Sequence, residues 1–578
     1  ESAQATGVWP PRQLWLPPLG EPPTADELVA RLRGRPWEVG YGDNDGLLMP
    51  IALEDRPREH RQDVYCLDLL NDNALIVCAP QRGATNAVMT MVTTGSLMYR
   101  PDRVQFYCIA ASGPQLAAMA SLPHVAAVAP LLDREGVNRL IATVQGIVAE
   151  REQIFAREGL SMDRVRRAKF GPSQPDGGRA YDAARRVVGG DVVLIVDGWA
   201  NFGEAMPAQT DAIVALMRAR NYGVRVVVTH TSWISGLRIA LKNECRQRLE
   251  MVLTDWQESQ VPRIAGRQPA REVPDRPGRG VSGDGHHLMV GIPQLDAPAG
   301  RVPAEEVGEV VARAAGADRA AEVLRLPESI ALQEVLARTN TSLPHTMVPF
   351  GLSESTLAPA YVDFAEAPHI VAVGQGQSGR TNFLRTMCRA IMSRYSADEA
   401  TIAVFDPRRK LIGVVPDDWL TVYAYSSTDI REAVKQLGQL FAGRMPPPGT
   451  NQQDMLTRQF WTGRRIFVLA DDITSWTMMD NPLLGLAEHV ERAGEIGLHV
   501  LATADIRSWS QHSQGLGTLG RIAGSLAPVL ILDGRRQHGV IAFDLHAEPQ
   551  RPGKGIYATA AGTDGVLVGW SEPPKRTP

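Results

Sequence analysis

HIVAVGQGQSGRTNFLRTMCRAIMSRY, running from His369 to Tyr395, passes from an apolar run through a glycine-rich turn into a stretch with helical spacing. The same order occurs earlier in the chain, where LIVCAPQRGATN ends at Asn86. Laid on itself, the sequence yields further pairs: MPIAL around Pro50 with VPFGL around Pro349, and VQFYCIA ending at Ala110 with TIAVFD ending at Asp406. These stand 296 to 299 residues apart. VVLIVDG with Asp197 pairs with IFVLADD with Asp471, GVRVVVT from Gly223 with GLHVLAT from Gly497, and RPGRG ending at Gly280 with RPGKG ending at Gly555, now at offsets of 274 or 275. A tandem repeat decides the architecture before local detail does. The change of offset places about 22 extra residues in the first copy, and the polar, basic stretch from Met162 to Gly190 is where they fit, as a surface insertion.

Short Val, Ile and Leu runs without polar alternation read as strands buried on both faces. Alternating with helical segments they imply βαβ units, so each copy is expected to be an α/β domain with a mostly parallel sheet covered by helices. The expected division is residues 1–40 as an N-terminal linker and lead-in, 41–340 as the first module and 341–578 as the second. An amphipathic stretch from Val302 to Val323 and the following LRLPESIALQEVL would complete the first module and cross to the second.

The second loop, Gly374, Gln375, Gly376, Gln377, Ser378, Gly379, Arg380, Thr381, follows the spacing G-x-x-x-x-G-K-[ST] with Arg in place of Lys. Such a loop holds phosphate through inward backbone N–H groups and a helix N-terminus, while the Thr hydroxyl ligates Mg²⁺. The expected cofactors are ATP and Mg²⁺, with Gly374 to Thr381 and the next residue, Asn382, as the binding segment. Arg380 keeps a positive charge but carries a larger planar head than an ammonium, so binding is expected and efficient turnover is not. In the first copy Cys78 replaces the first Gly and Ala84 the charged residue, leaving Ala79, Pro80, Gln81, Arg82, Gly83, Ala84, Thr85 and Asn86 as a degenerate site.

Phosphoryl transfer to water also needs a strand-end acid for Mg²⁺ and a second acid toward the attacking water. Asp471 and Asp472 are the catalytic candidates in the second copy, with Thr381 and Asp471 toward the metal. The first copy offers Asp197 followed by Gly198, so its second acid is missing; a helix or turn cap is the competing reading of Asp197. Ala110 stands where the second copy has Asp406.

Composition agrees with a large folded protein: 578 residues, 44% apolar and 21% charged. With 60 basic and 64 acidic residues, the net charge of −4 provides no global attraction for nucleic acid or an anionic membrane. Cys66, Cys78, Cys108, Cys245 and Cys388 show no paired metal spacing and no disulfide framework, which suits a reducing compartment. No run approaches the roughly 18 apolar residues of a membrane span. The chain opens on Glu1 with Trp9, Pro10, Pro11, Trp15, Pro17 and Pro18, the composition of an interdomain linker, so a further segment is expected upstream.

In LWLPPL, VQFYC, LPHV at Leu122 to Val125, VVLIVDGW, RPGRG and the Arg-substituted loop, the chain resembles two tandem FtsK/SpoIIIE-type ATPase modules, specifically the second and third of the EccC motors of type VII (ESX) secretion. The resemblance covers essentially the whole chain. It implies two tandem P-loop NTPase (FtsK/RecA-like) domains and a place at the cytoplasmic face of the inner membrane, in a membrane-anchored protein. Implied partners are WXG100-type (Esx) substrates, other membrane components of the secretion complex and further copies of itself, with no nucleic acid. It also implies that the last module reads a C-terminal substrate signal and that an upstream module is the competent ATPase. The alternatives are a DNA translocase, since FtsK/SpoIIIE motors move duplex DNA, and a freely hydrolysing ATPase. For the former there are basic clusters at Arg164, Arg166, Arg167, Lys169 and at Arg408, Arg409, Lys410, read here as solvated surface, and no helix-turn-helix pattern.

Overall fold

The computed structural model describes residues 16–574 apart from 38–45, 172–178, 299, 317, 324, 447–448, 458–460 and 477–479. The expected start of the first module at residue 41 lies outside the described residues. The chain divides into two units, Glu1–Val323 and Leu324–Pro578.

The first unit contains β1 (Leu48–Arg56), β2 (Arg61–Asp68), β3 (Asn73–Val77), β4 (Val104–Ala110), β5 (Val125–Pro130), β6 (Asp191–Asp197), β7 (Val224–His230), β8 (Cys245–Met251), β9 (Arg279–Val281) and β10 (His287–Val290), with the small ribbon β11 (Leu295–Ala297) and β12 (Gly300–Val302). The second contains β13 (Met347–Ser353), β14 (Pro359–Asp363), β15 (His369–Gly374), β16 (Ala400–Phe405), β17 (Leu420–Ala424), β18 (Arg465–Ala470), β19 (Leu498–Asp505), β20 (Val529–Ile531), the ribbon β21 (Val540–Ala542) and β22 (Leu545–His546), β23 (Lys554–Thr559) and β24 (Gly562–Val568).

The two ten-stranded sheets have one topology. In the first unit the order is β2-β1-β10-β9-β8-β3-β7-β6-β4-β5, and in the second β14-β13-β24-β23-β20-β15-β19-β18-β16-β17. From β8 to β5, and from β20 to β17, neighbours run parallel. The remaining four strands of each sheet pair antiparallel. The parallel block places both phosphate-type loops at the C-terminal ends of central strands, β3 and β15, where α/β sheets bind ligands. The burial of β3, β4, β6, β7, β15 and β16 on both faces explains their unbroken apolar runs.

The division at Val323 precedes the expected residue 340 because the intervening residues pack on the second sheet. Ile330, Leu332 and Val335 are buried with Leu352 and Leu567; Leu332 N–H donates to the Trp570 carbonyl and Trp570 N–H to the Ile330 carbonyl. The first unit repeats the device: Thr24 bridges Ile292 as Ala331 bridges Trp570. The helix Ala25–Arg33, inside the span expected to be linker, buries Ala25, Leu28 and Val29. Residues 1–40 therefore include part of the first folded unit.

The insertion carries the helices Met162–Phe170 and Arg179–Arg186, which form a small core of Phe155, Leu160, Met162, Val165, Ala183, Ala184 and Val187. Arg166, expected on a solvated face, is instead buried against Asp191 at the start of β6, donating at 2.7 and 3.0 Å. Arg103 pairs with the same carboxylate. Burial by itself pushes the Asp191 carboxyl up, but the charges of Arg103 and Arg166 and the hydrogen bonds of Arg166 outweigh it and bring it from an ordinary 3.8 to about 2. Asp191→Asn leaves two buried guanidiniums without a counter-charge and is expected to destabilise the first unit by about 3–5 kcal/mol at pH 7. A carboxyl lowered on folding stabilises above its unfolded value, so the wild-type advantage is expected to fade as pH falls from about 4 toward 2. Denaturant melts of both proteins across that range check this, and equal stability at pH 7 contradicts it.

Candidate nucleotide sites

Each loop turns on the same two left-handed residues, Gln377 (φ 67°) and Gly379 (φ 106°) in the second unit, Gln81 (φ 61°) and Gly83 (φ 106°) in the first. A Cβ on Gly379 would lie 3.0 Å from the Gly553 nitrogen, so glycine is required there by both conformation and approach. That contact explains the distant RPG repeats. Gly553 N–H donates to the Ser378 carbonyl at 2.9 Å and Gly278 N–H to the Arg82 carbonyl at 3.0 Å, bracing each loop from the turn before β23 or β9.

Behind the loops stand the strand-end acids. Asp471 accepts from Thr381 Oγ1 at 3.2 Å and from Thr503 Oγ1 at 2.7 Å, and Thr503 Oγ1 accepts the Asp472 N–H at 2.7 Å. In the first unit Asp197 accepts from Thr85 Oγ1 at 2.8 Å and from Thr229 Oγ1 at 2.7 Å, and Thr229 accepts the Gly198 N–H at 2.7 Å. Asp197 is therefore part of the loop assembly rather than a helix cap. Burial pushes the Asp471 carboxyl up, opposed by the Thr503 hydrogen bond and Lys410 and reinforced by the charges of Asp406 and Asp472. Burial likewise raises Asp197 against hydrogen bonds from Thr229, Thr85 and Ser112.

The second loop fits a bound triphosphate. Ser378 Oγ is buried with no hydrogen-bond partner among the described residues. Space around Gly376 is open, with nothing within 4 Å of a Cβ built there. Thr381 and Asp471 are the pair that would hold Mg²⁺, and the backbone of Gly376 to Thr381 the phosphates. Asn382 has another task. Its buried amide donates to the Gly569 carbonyl and accepts from Ser571 N–H, both at 3.0 Å, tying the loop helix to the chain after β24.

The first loop departs at several points. Pro80 occupies the place of Gly376 and removes an N–H donor. Cys78 is buried with its thiol pushed up by burial to about 12, so it stays protonated. Arg82 pairs with Asp275 at 2.7 and 3.1 Å. Gly198 has φ 98°, and a Cβ on it would lie 2.5 Å from Ser112 Oγ, so the second acid is sterically excluded as well as absent.

The second acid of the second unit is present but engaged. Asp472, left-handed at φ 56°, pairs with Arg408 and faces Arg380 at 3.5 Å. Arg380 also faces Asp505 at 3.5 Å, and Asp505 is held by Arg507 at 3.0 Å through two bonds. Asp505, Arg507, Thr229 and Thr503 have no role in the sequence reading, and Arg408, expected there on a solvated face, instead pairs with Asp472. The threonines close the aligned segments GVRVVVT and GLHVLAT, which was the available signal.

Among the described residues no group of three or more His, Cys, Asp or Glu side chains forms a metal cluster, and no helix is long and apolar enough to cross a membrane. All five cysteines are free.

Two repeated sheets, each presenting a strand–loop–helix cradle braced by a strand-end Asp and Thr, define a tandem P-loop ATPase fold. The FtsK/SpoIIIE family profile matches residues 27–296 and 331–443. The ESX secretion system protein EccC of Thermomonospora curvata is 32% identical over 567 residues, covering 95% of this chain and 41% of that protein. EccCb1 of the ESX-1 system of Mycolicibacterium smegmatis strain MKD8 is 30% identical over 599 residues, covering 100% of this chain and 96% of that one. Among solved structures, that of T. curvata EccC ATPases 2 and 3 in complex with a signal sequence peptide matches with a TM-score of 0.75 at 31% identity, covering 96% of this chain and 100% of that one. The chain belongs to the FtsK/SpoIIIE family and stands among its EccC members. It spans about two fifths of the length of the T. curvata relative.

Asp471→Asn is expected to stabilise the second unit without ligand by about 0.5–2 kcal/mol near pH 7.5, because it removes a buried charge while keeping an acceptor for Thr503. A carboxyl raised on folding costs stability once ionised, so the gain is expected to shrink as pH falls toward the ordinary value of 3.8. Thermal melts at pH 5 and 7.5 test both parts.

Proposed function

We propose that the two units serve a type VII secretion motor as a nucleotide-clamped platform for reading substrate, with the second unit binding Mg²⁺·ATP and hydrolysing it weakly or not at all. The observation that carries this is the contrast within one chain. The second unit keeps Arg380, Thr381, Asp471 and Asp472, but the acid that would activate water lies between two guanidiniums. The first lacks the charge at Ala84 and has no room for a second acid at Gly198. When bound, Mg²⁺·ATP supplies a dense negative charge that loop amides and Thr381 can grip. Occupancy a hundredfold above Kd adds about 2.7 kcal/mol to the folded unit, enough to stiffen it.

Substrate reading falls to the second unit on this proposal. A groove of about 630 Å³ runs between the helix Ser427–Ala442 and residues 480–488, with Val434, Gly438, Ala442 and exposed Leu484 offering an apolar floor and Arg431 and Glu488 a charged rim. An amphipathic helical signal at the C-terminus of a WXG100-type protein suits such a groove. A signal sequence peptide is bound in the T. curvata EccC complex. Membrane anchoring, the other secretion components and self-association belong to the longer protein in this reading.

Calorimetric titration of Mg²⁺·ATP with phosphate release followed in the same samples tests the clamp. Binding in the second unit with negligible release is expected, with Thr381→Ala weakening it at least tenfold, about 1.4 kcal/mol. Steady release would instead make this unit an engine. Ala84→Lys alone is expected to leave the first unit without turnover, because Gly198 still provides no second acid; vigorous turnover by that variant overturns the account. For the groove, Leu484→Glu is expected to weaken binding of a fluorescent WXG100 signal peptide about tenfold at an unchanged melting temperature, since Leu484 is 54% exposed. Unchanged affinity places the peptide elsewhere.

A further inference from the structure

Beyond the strand-end Asp471, five charged side chains beside the second loop have no charged counterpart in the first unit. Arg380, Asp472, Asp505, Arg408 and Arg507 correspond to Ala84, Gly198, Thr231, Ser112 and Trp233. A set that is present whole in one unit and absent whole in the other behaves as one device.

Its internal distances are unequal. Asp472 has Arg408 as its close partner, and Asp505 has Arg507 at 3.0 Å through two bonds, whereas Arg380 stands 3.5 Å from each acid. Each carboxylate is thus neutralised by an arginine from outside the loop. Three guanidiniums share two carboxylates, and the guanidinium held least closely is the one on the loop. Asp472 is 4% exposed, so without Arg408 its buried charge would have Arg380 as its nearest remaining partner.

The turn carrying Arg408 is itself anchored. Asp406 at the end of β16 is fully buried, and its Oδ2 accepts from Leu411 N–H at 2.6 Å and from Tyr423 Oη at 2.8 Å. Arg409 N–H returns to the Asp406 carbonyl at 3.0 Å. In the first unit Ala110 replaces this anchor and Ser112 the arginine it presents.

The geometry points to Arg408 as a positioning residue for nucleotide affinity: by occupying Asp472 it keeps Arg380 free for the polyphosphate of a nucleoside triphosphate. This rests on the nucleotide reading of the second unit. Arg408 acts through Asp472 and Arg380, so its effect is conditional on the acid. Arg507 does the same at Asp505.

A double-mutant cycle on the full chain tests it, with the Kd of Mg²⁺·ATP by calorimetry as the readout and melts without ligand to verify folding. Arg408→Gln is expected to weaken binding about tenfold, because Asp472 then claims Arg380. Adding Asp472→Asn is expected to restore affinity to within about twofold of the Asp472→Asn single variant, and Arg408→Lys to retain most of it. Arg408 is 52% exposed at its side chain, so folding should survive. Unchanged affinity in Arg408→Gln overturns the proposal. A loss that Asp472→Asn does not rescue also overturns it, and assigns Arg408 a direct phosphate contact. Absence of binding by the unmodified chain removes the nucleotide reading itself.

Discussion

The grip of one buried strand-end aspartate on two threonines organises both units. Asp471 joins the loop helix through Thr381 to the neighbouring strand through Thr503, and Asp197 does the same with Thr85 and Thr229. Each carboxylate is buried and pushed up by that burial, so its position is uphill for a charge and tolerable only with these donors. The grip sets how far the loop stands from β18 or β6, and the RPG turn closes it from the opposite side. Both features persist in the first unit, where Arg380, Asp472, Asp505, Arg408 and Arg507 have no charged counterparts. The grip therefore holds the fold, and the charges around it decide what each copy can do.

That separation accounts for how unlike the two copies are in chemistry despite one topology. The first loop has a proline where an amide would donate, a protonated thiol at its entrance and a glycine whose replacement would collide with Ser112. The second keeps its hydroxyl, its open loop and two acids, but sets its second acid among guanidiniums. A carboxylate neutralised in this way makes a poor base for water, while a guanidinium left loosely paired beside a phosphate loop favours a bound anion. On the proposed reading, binding and turnover would be tuned by different residues of one cluster, as suits a module whose bound state matters more than its rate.

Much of this was legible in the chain because it is local or repeated. Strand, loop and helix are contiguous around Gly379, and comparison of the copies exposed Ala84, Gly198 and Ala110 as losses. Other readings failed where neighbours in space are remote in sequence. Arg166 sits in a basic run that looks solvated, yet its partner Asp191 lies 25 residues away and is fully buried. The segment before residue 340 reads as the end of one module because its apolar residues precede the next repeat, yet Leu567 and Trp570, from the far end of the chain, cover it. Asn382 looked like part of the phosphate loop because it follows Thr381, whereas a helix turns successive side chains to different faces and sends this one to Gly569.

The sequence by itself determined the tandem α/β repeat, the two loops with their strand-end acids, and the inequality of the copies, since these depend on residue type and order along the chain. Only the tertiary structure decided which charges meet. Arg380 lies 92 residues from Asp472 and 125 from Asp505. The parallel order β15-β19-β18-β16 is what brings the ends of those strands, and the turn bearing Arg408, around one loop. Electrostatic partnership falls off with distance in space, and strand order, which no single segment encodes, sets that distance.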